Sequence, residues 1–92
     1  MRKKVYLISY LNNYPYLTQI SIHNFAETCD DWFHYTDGMY LIASKETMGN
    51  IVKMVRAVIG INGKFFVIRL RKGTEYNGYL PKRAWKWIEK YL

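Results

Sequence analysis

Apolar residues recur along this chain with two different periods, and each change of period marks an element. Between Lys3 and Tyr10 (KKVYLISY), Val5, Leu7 and Ser9 alternate with Tyr6, Ile8 and Tyr10. This predicts a strand with large side chains on both faces, one that belongs inside a sheet covered on each side. Asn12-Asn13-Tyr14-Pro15 breaks the alternation as a loop. From Tyr16 to about Glu27 the spacing becomes helical: Ile22, Phe25, Ala26 and Cys29 share a stripe that Leu17 and Ile20 extend. Thr18, Ile20 and Ile22, all β-branched, weaken that helix toward its start. Trp32–Tyr35 is a second strand, and Asp37-Gly38 is a hairpin turn. Thr36 should then face Met39, Tyr35 face Tyr40, His34 face Leu41, and Phe33 face Ile42.

The stretch from Gly38 to Leu70 reads most clearly, as strand, helix, strand. Met39–Ala43 is a short apolar run that stops at Ser44, a residue type favoured where helices start. Met48, Ile51, Val52, Val55, Val58 and Ile59 then line one stripe of a helix. Gly60 and Asn62-Gly63 end it, and Lys64–Arg71 follows as a strand rich in Phe, Val and Ile. Lys72–Gly78 is a loop. Pro81 leads into Lys82–Leu92, an amphipathic helix with Ala84, Trp85, Ile88 and Leu92 on one side.

The predicted order is β-α-β-β-α-β plus a C-terminal helix: one α+β domain over residues 1–92, of the ferredoxin-like, split βαβ kind. Right-handed crossovers place both main helices on one face of a four-stranded antiparallel sheet. Two helices cannot cover two oily faces. The simplest resolution is a twofold homodimer whose sheets or C-terminal segments cover each other. The alternative is that the last helix folds back over its own sheet.

Composition sharpens this picture. The chain has 92 residues, half of them hydrophobic and 17% aromatic, more apolar material than one small core needs. Such a surplus points to an oligomer interface or a ligand surface. A single cysteine, Cys29, excludes an intrachain disulfide and reads as a small buried hydrophobe. No signal peptide follows the basic start, and no segment approaches the ~20 apolar residues of a membrane span, so the expected location is cytoplasmic, away from membranes. The formal net charge of +7 favours anionic partners through long-range attraction.

VYLISY with its Asn-rich loop, WFHYTDGMYLI, KFFVIRL and NGYLPKRAWKWI together resemble a small SinR-like family of bacterial and phage proteins. That family is similar in fold to the ferredoxin-like CRISPR adaptation (second Cas) proteins and to antitoxin-system relatives. The more specific pieces are His34-Tyr35-x-Asp37 and Gly78-Tyr79-Leu80-Pro81. The resemblance implies a homodimer, and in some relatives a metal-dependent nuclease with an Asp ending the first strand. Here that stretch is Ser9-Tyr10-Leu11-Asn12-Asn13, which has no carboxylate to hold Mg²⁺.

For a metal site, Cys29, Asp30, Asp31, His23 and His34 match no zinc spacing. Cys29 with either histidine makes a conceivable nucleophilic pair, without a supporting signature. Gly60-x-x-Gly63 follows a helix instead of opening one, so it is a helix stop. The cations say more. Arg69, Arg71 and Lys72 end the last strand, while Arg2, Lys3 and Lys4 begin the first, which should lie antiparallel beside it. Lys82, Arg83, Lys86 and Lys90 give the terminal helix a basic side, with Tyr76, Tyr79 and Trp87 interleaved. Basic grooves with aromatic platforms suit single strands or nucleotides.

The leading expectation is therefore a non-catalytic homodimer, without a cofactor, that binds nucleic acid or a nucleotide. Arg69, Arg71 and Lys72 would contact phosphate, Tyr10, Asn12 and Asn13 would line the neighbouring strand end, and His34 would contribute. One alternative is a phage-type inhibitor of a bacterial defence complex acting by protein–protein contact. Another is a weak metal-dependent nuclease.

Overall fold

The computed structural model describes residues 3–11, 15–36, 38–60, 63–75, 77–78 and 80–92. Seven elements follow in order: β1 (Lys4–Leu11), α1 (Pro15–Glu27), β2 (Asp31–Thr36), β3 (Met39–Ser44), α2 (Met48–Ile59), β4 (Lys64–Leu70) and α3 (Lys82–Tyr91). The four strands form one antiparallel sheet in the order β2-β3-β1-β4. No helix among the described residues is long and apolar enough to cross a membrane.

The alternation in β1 decides how the layers stack. Tyr6, Ile8 and Tyr10 point to the face that carries α1 and α2. There they pack with Ile22, Phe25 and Ala26 of α1, Tyr40 and Ile42 of β3, and Ile51 and Val55 of α2. Tyr6 is fully buried, and its hydroxyl donates to the Glu46 carbonyl at 2.7 Å, so the polar end of a core side chain is satisfied. Ile20, by contrast, stands exposed on α1, while Ile22, Phe25 and Ala26 are buried against the sheet.

The second face settles which element covers it. α3 folds back over its own sheet, and Ile88 is buried there with Val5 and Leu41. Leu7, Phe33, Leu70, Leu80, Trp85 and Trp87 surround them. This cover removes the reason for a face-to-face dimer, because the chain supplies its own third helix. The cover is incomplete: Leu11, Phe66 and Ile68 of β1 and β4 remain exposed on the side away from α3.

Two local expectations need correction. Thr36 pairs with Met39 around the hairpin, but a bulge between His34 and Thr36 then shifts the ladder by one residue. His34 therefore faces Tyr40, Phe33 faces Leu41 and Trp32 faces Ile42. The slip keeps Trp32 with the α1–α2 core and Phe33 with the α3 side. The helix start also moves. Ser44 ends β3, and Thr47 is the N-cap of α2, its hydroxyl accepting from the Asn50 N–H at 3.2 Å. At the far end Gly60 takes a left-handed φ of 85°, and its N–H donates to Arg56 to close the helix. Gly63 is fixed by space, since a Cβ there would come within 1.9 Å of Ile59 Cγ2.

Candidate functional site

The register of β1 against β4 brings the predicted cations together. Val5 stands opposite Leu70 and Tyr6 opposite Arg69, so the residues before Val5 meet those after Leu70. Lys3, Lys4, Arg69, Arg71 and Lys72 line one cleft of about 240 Å³, with Val5, Leu70, Tyr91 and Leu92 completing its walls. Two strand ends therefore supply five cations, and the end of α3 supplies an aromatic ring. Arg2, expected beside them, lies outside the described residues.

Charge in this cleft is not internally neutralised. Among the described residues the ion pair formed is His23 with Glu27, at 2.7 Å along α1, and no Lys or Arg takes part in one. The Arg69 Nε is buried without a hydrogen-bond partner. A buried guanidinium nitrogen in that condition is a donor short of an acceptor. Arg69 and Arg71 also act on the Tyr6 hydroxyl. Burial pushes its pKa up, and the two guanidinium charges pull it back only in part.

Among the described residues Tyr91 is the aromatic wall of the cleft, and its position is set from outside. Its hydroxyl donates a short hydrogen bond to Asp31 Oδ2 at the start of β2. That bond, then burial and the nearby negative charges of Asp31 and Asp30, push the Tyr91 pKa up to about 12. Burial raises the Asp31 carboxyl, but the Tyr91 hydroxyl and the Trp32 N–H outweigh it and hold the carboxyl below its usual range. The Trp87 indole N–H adds a weaker pull at a geometry short of a hydrogen bond. Lys3 Nζ and Lys90 Nζ lie 5.9 Å and 5.3 Å from the Tyr91 ring centre, extending the basic surface onto the end of α3. The acids Glu27 and Asp31, near the end of α1, have internal partners in His23 and Tyr91.

The other candidates lie elsewhere. Tyr10 faces Phe65 at the opposite end of β1, five residues from Val5, or about 17 Å along the strand. It belongs to the core under the helices, not to the cationic cleft. Asn12 and Asn13 lie outside the described residues, as do Tyr76 and Tyr79. His34 is on β2, the far edge of the sheet from β4, stacked flat on Tyr40 with ring centres 4.3 Å apart. The structure therefore brings Arg69, Arg71 and Lys72 together with Lys3 and Lys4, and separates Tyr10 and His34 from them.

Nor does a Cys–His pair assemble. His23 Nδ1 lies 3.0 Å from the Tyr40 hydroxyl, and its Nε2 is taken by Glu27. Cys29 turns its thiol toward the Phe25 carbonyl, and burial with the Asp30 charge pushes the thiol up to about 11. Among the described residues no three His, Cys, Asp or Glu side chains gather in one place. Tyr91 is a cleft residue that sequence reasoning missed. The apolar stripe of α3 marks the helix, but nothing local ties Tyr91 to an aspartate sixty positions earlier. No protein-family model, curated protein or solved structure matches this chain.

Proposed function

We propose that this protein is a non-catalytic binding protein for single-stranded nucleic acid or a nucleotide, held at the cleft between the start of β1 and the end of β4. The observation that carries this reading is the convergence of Lys3, Lys4, Arg69, Arg71 and Lys72 on one cleft, with none of them ion-paired among the described residues. Phosphate oxygens supply what such a site lacks: negative charge and acceptors for guanidinium forks. Tyr91 adds a fixed ring beside the cations, the combination used to hold unpaired bases. β1 sits between β3 and β4, with both crossover helices on one face, which supports reading the fold as ferredoxin-like. A cytoplasmic location suits the lone Cys29. The resemblance to the SinR-like family is compatible with this reading and carries none of it.

The test is fluorescence polarisation with labelled single-stranded DNA, RNA and a cyclic nucleotide across a salt series. Wild-type protein should bind at low salt and release as salt rises. Arg69→Ala with Arg71→Ala should abolish retention without shifting the melting temperature. Absence of salt-dependent binding to all three probes would overturn the proposal.

A further inference from the structure

The two edges of the sheet are not alike. β2, at one edge, begins with Asp31 and carries a bulge, both devices that discourage another strand from pairing there. β4, at the other, pairs with β1 without a register shift from Lys64 to Leu70. Its sequence, KFFVIRL, has no proline and no charge between Lys64 and Arg69. Among the described residues no backbone group beyond β1 hydrogen-bonds to β4 along its length, so its outer row of N–H and C=O groups is open. Beside that row Phe66 and Ile68 are 55% and 43% exposed.

We propose that two copies of this chain pair through β4, antiparallel about a twofold axis at Val67, joining two four-stranded sheets into one of eight. This differs from a face-to-face dimer, for which the α3 cover removes the reason, and it goes beyond the anion-binding reading without depending on it. The register follows from symmetry. A twofold axis normal to the sheet keeps front residues in front, so facing residues must have the same parity and the axis must pass through a residue. Only an axis through Val67 pairs all seven residues of β4, because Lys64 then meets Leu70 of the other copy.

Charge excludes the registers shifted toward the C-terminal end of β4. With the axis at Val67, Phe66 faces Ile68 of the second copy, and Phe65 faces Arg69, an aromatic–guanidinium pair. No cation faces a cation. Moving the axis to Ile68 would set Lys64 against Lys72, and moving it to Arg69 would set that residue against itself. On the face that α3 covers in part, Leu7 and Ser9 are the β1 partners of Ile68 and Phe66, so the paired strands extend one apolar strip across both copies. Of the cleft cations, the two Arg69 residues would lie four positions apart along the strands, about 13 Å, and the two Arg71 residues eight positions, about 26 Å. Both exceed the ~10 Å screening length at 0.1 M salt, so salt screens the repulsion between the two clefts, which together face one long anionic strand.

Native mass spectrometry and light scattering without nucleic acid read the subunit count. The wild type should be a dimer that persists as salt rises, whereas anion binding weakens with salt, so the two readings fail in different measurements. Phe66→Lys with Ile68→Lys places ammonium against ammonium across the axis and should yield monomers. Both positions are exposed, so the melting curve of the monomer should show retained folding. Phe66→Lys with Ile68→Glu places Lys against Glu twice and should restore the dimer. A monomeric wild type, a dimer that survives the double lysine change, or a Lys–Glu variant that stays monomeric would each overturn the proposal. So would wild-type subunits found paired only with a different protein.

Discussion

The Tyr91 hydroxyl donates to the Asp31 carboxylate, tying the end of α3 to the first residue of β2 across sixty positions of sequence. Because Tyr91 also walls the cationic cleft, one hydrogen bond serves both the cover of the second face and the shape of the site. Its titration has a definite sign. The Tyr91 pKa rises from 10.0 unfolded to about 12 folded, so its contribution to stability is complete below pH 10.0 and lost as pH climbs toward 12. Asp31 is depressed in the folded state, so its contribution is present above the ordinary aspartate pKa and lost as pH falls through the lower folded value. Tyr91→Phe should cost about 1 kcal/mol at neutral pH and flatten the alkaline loss between these two values. Urea unfolding followed across pH checks both. An unchanged alkaline slope in the variant would show that another group titrates there.

α3 is held on the sheet by Ile88, which is buried among Val5, Leu41, Phe33, Trp85 and Trp87. Truncating such a side chain removes its transfer energy and leaves a cavity, a cost of roughly 2–5 kcal/mol. Ile88→Ala should therefore lower stability by about that amount and expose the apolar face of β1 and β3 to a hydrophobic dye. Val52→Ala, on the exposed side of α2, should change stability by less than about 0.5 kcal/mol. Equal effects from the two would mean that α3 contributes little to the fold.

All seven elements were legible in the chain because each carries its own punctuation. Thr36 and Gly38 bracket the hairpin, Gly60 stops α2, and Pro81 precedes α3. The cluster of Arg69, Arg71 and Lys72 with Lys3 and Lys4 was legible for a related reason: antiparallel neighbours put the end of one strand beside the start of the other. Two things were not. The bulge between His34 and Thr36 depends on which side chains the two cores accept, a tertiary preference that no local spacing encodes. The fate of the second face turned on whether a ten-residue helix returns to its own sheet, and its amphipathic stripe fits its own sheet or another copy's equally well. Tyr10 was grouped with the cations because both lie near strand ends, although the antiparallel order that gathers the cations already places Tyr10 at the opposite end of β1.

Cys29 lines a second cleft of about 260 Å³ with Thr28, Asp30, Ser44, Lys45, Glu46, Ile51 and Met54. Burial and the Asp30 charge raise its thiol from 9.0 to about 11. Thiolate is the reacting species, so raising the pKa by about two units leaves on the order of a hundredfold less of it near neutrality. Cys29 in the folded protein should therefore alkylate with iodoacetamide at least tenfold more slowly than in the urea-unfolded chain. Mass spectrometry of timed, quenched samples measures this. A folded rate equal to or above the unfolded one would reopen a nucleophilic role.

Lys4 and Lys72 offer a test of the cleft that leaves the paired core of β4 untouched. Both line the cleft, but neither lies within the Lys64–Leu70 strand, and neither has an ion-pair partner among the described residues. Replacing them removes positive charge without breaking a contact that holds the fold. If both ammonium groups meet phosphate on a single strand, each contributes about 0.7 to the slope of log affinity against log salt. Lys4→Ala with Lys72→Ala should then weaken binding at low salt and make that slope shallower by about 1.4, with subunit count and melting temperature unchanged. Lys82→Ala with Lys86→Ala changes net charge equally on the outer side of α3, away from the cleft lining. If that pair of substitutions altered the slope as much as the first, the attraction would belong to the whole molecule's charge, and the cleft would have no special claim to the ligand.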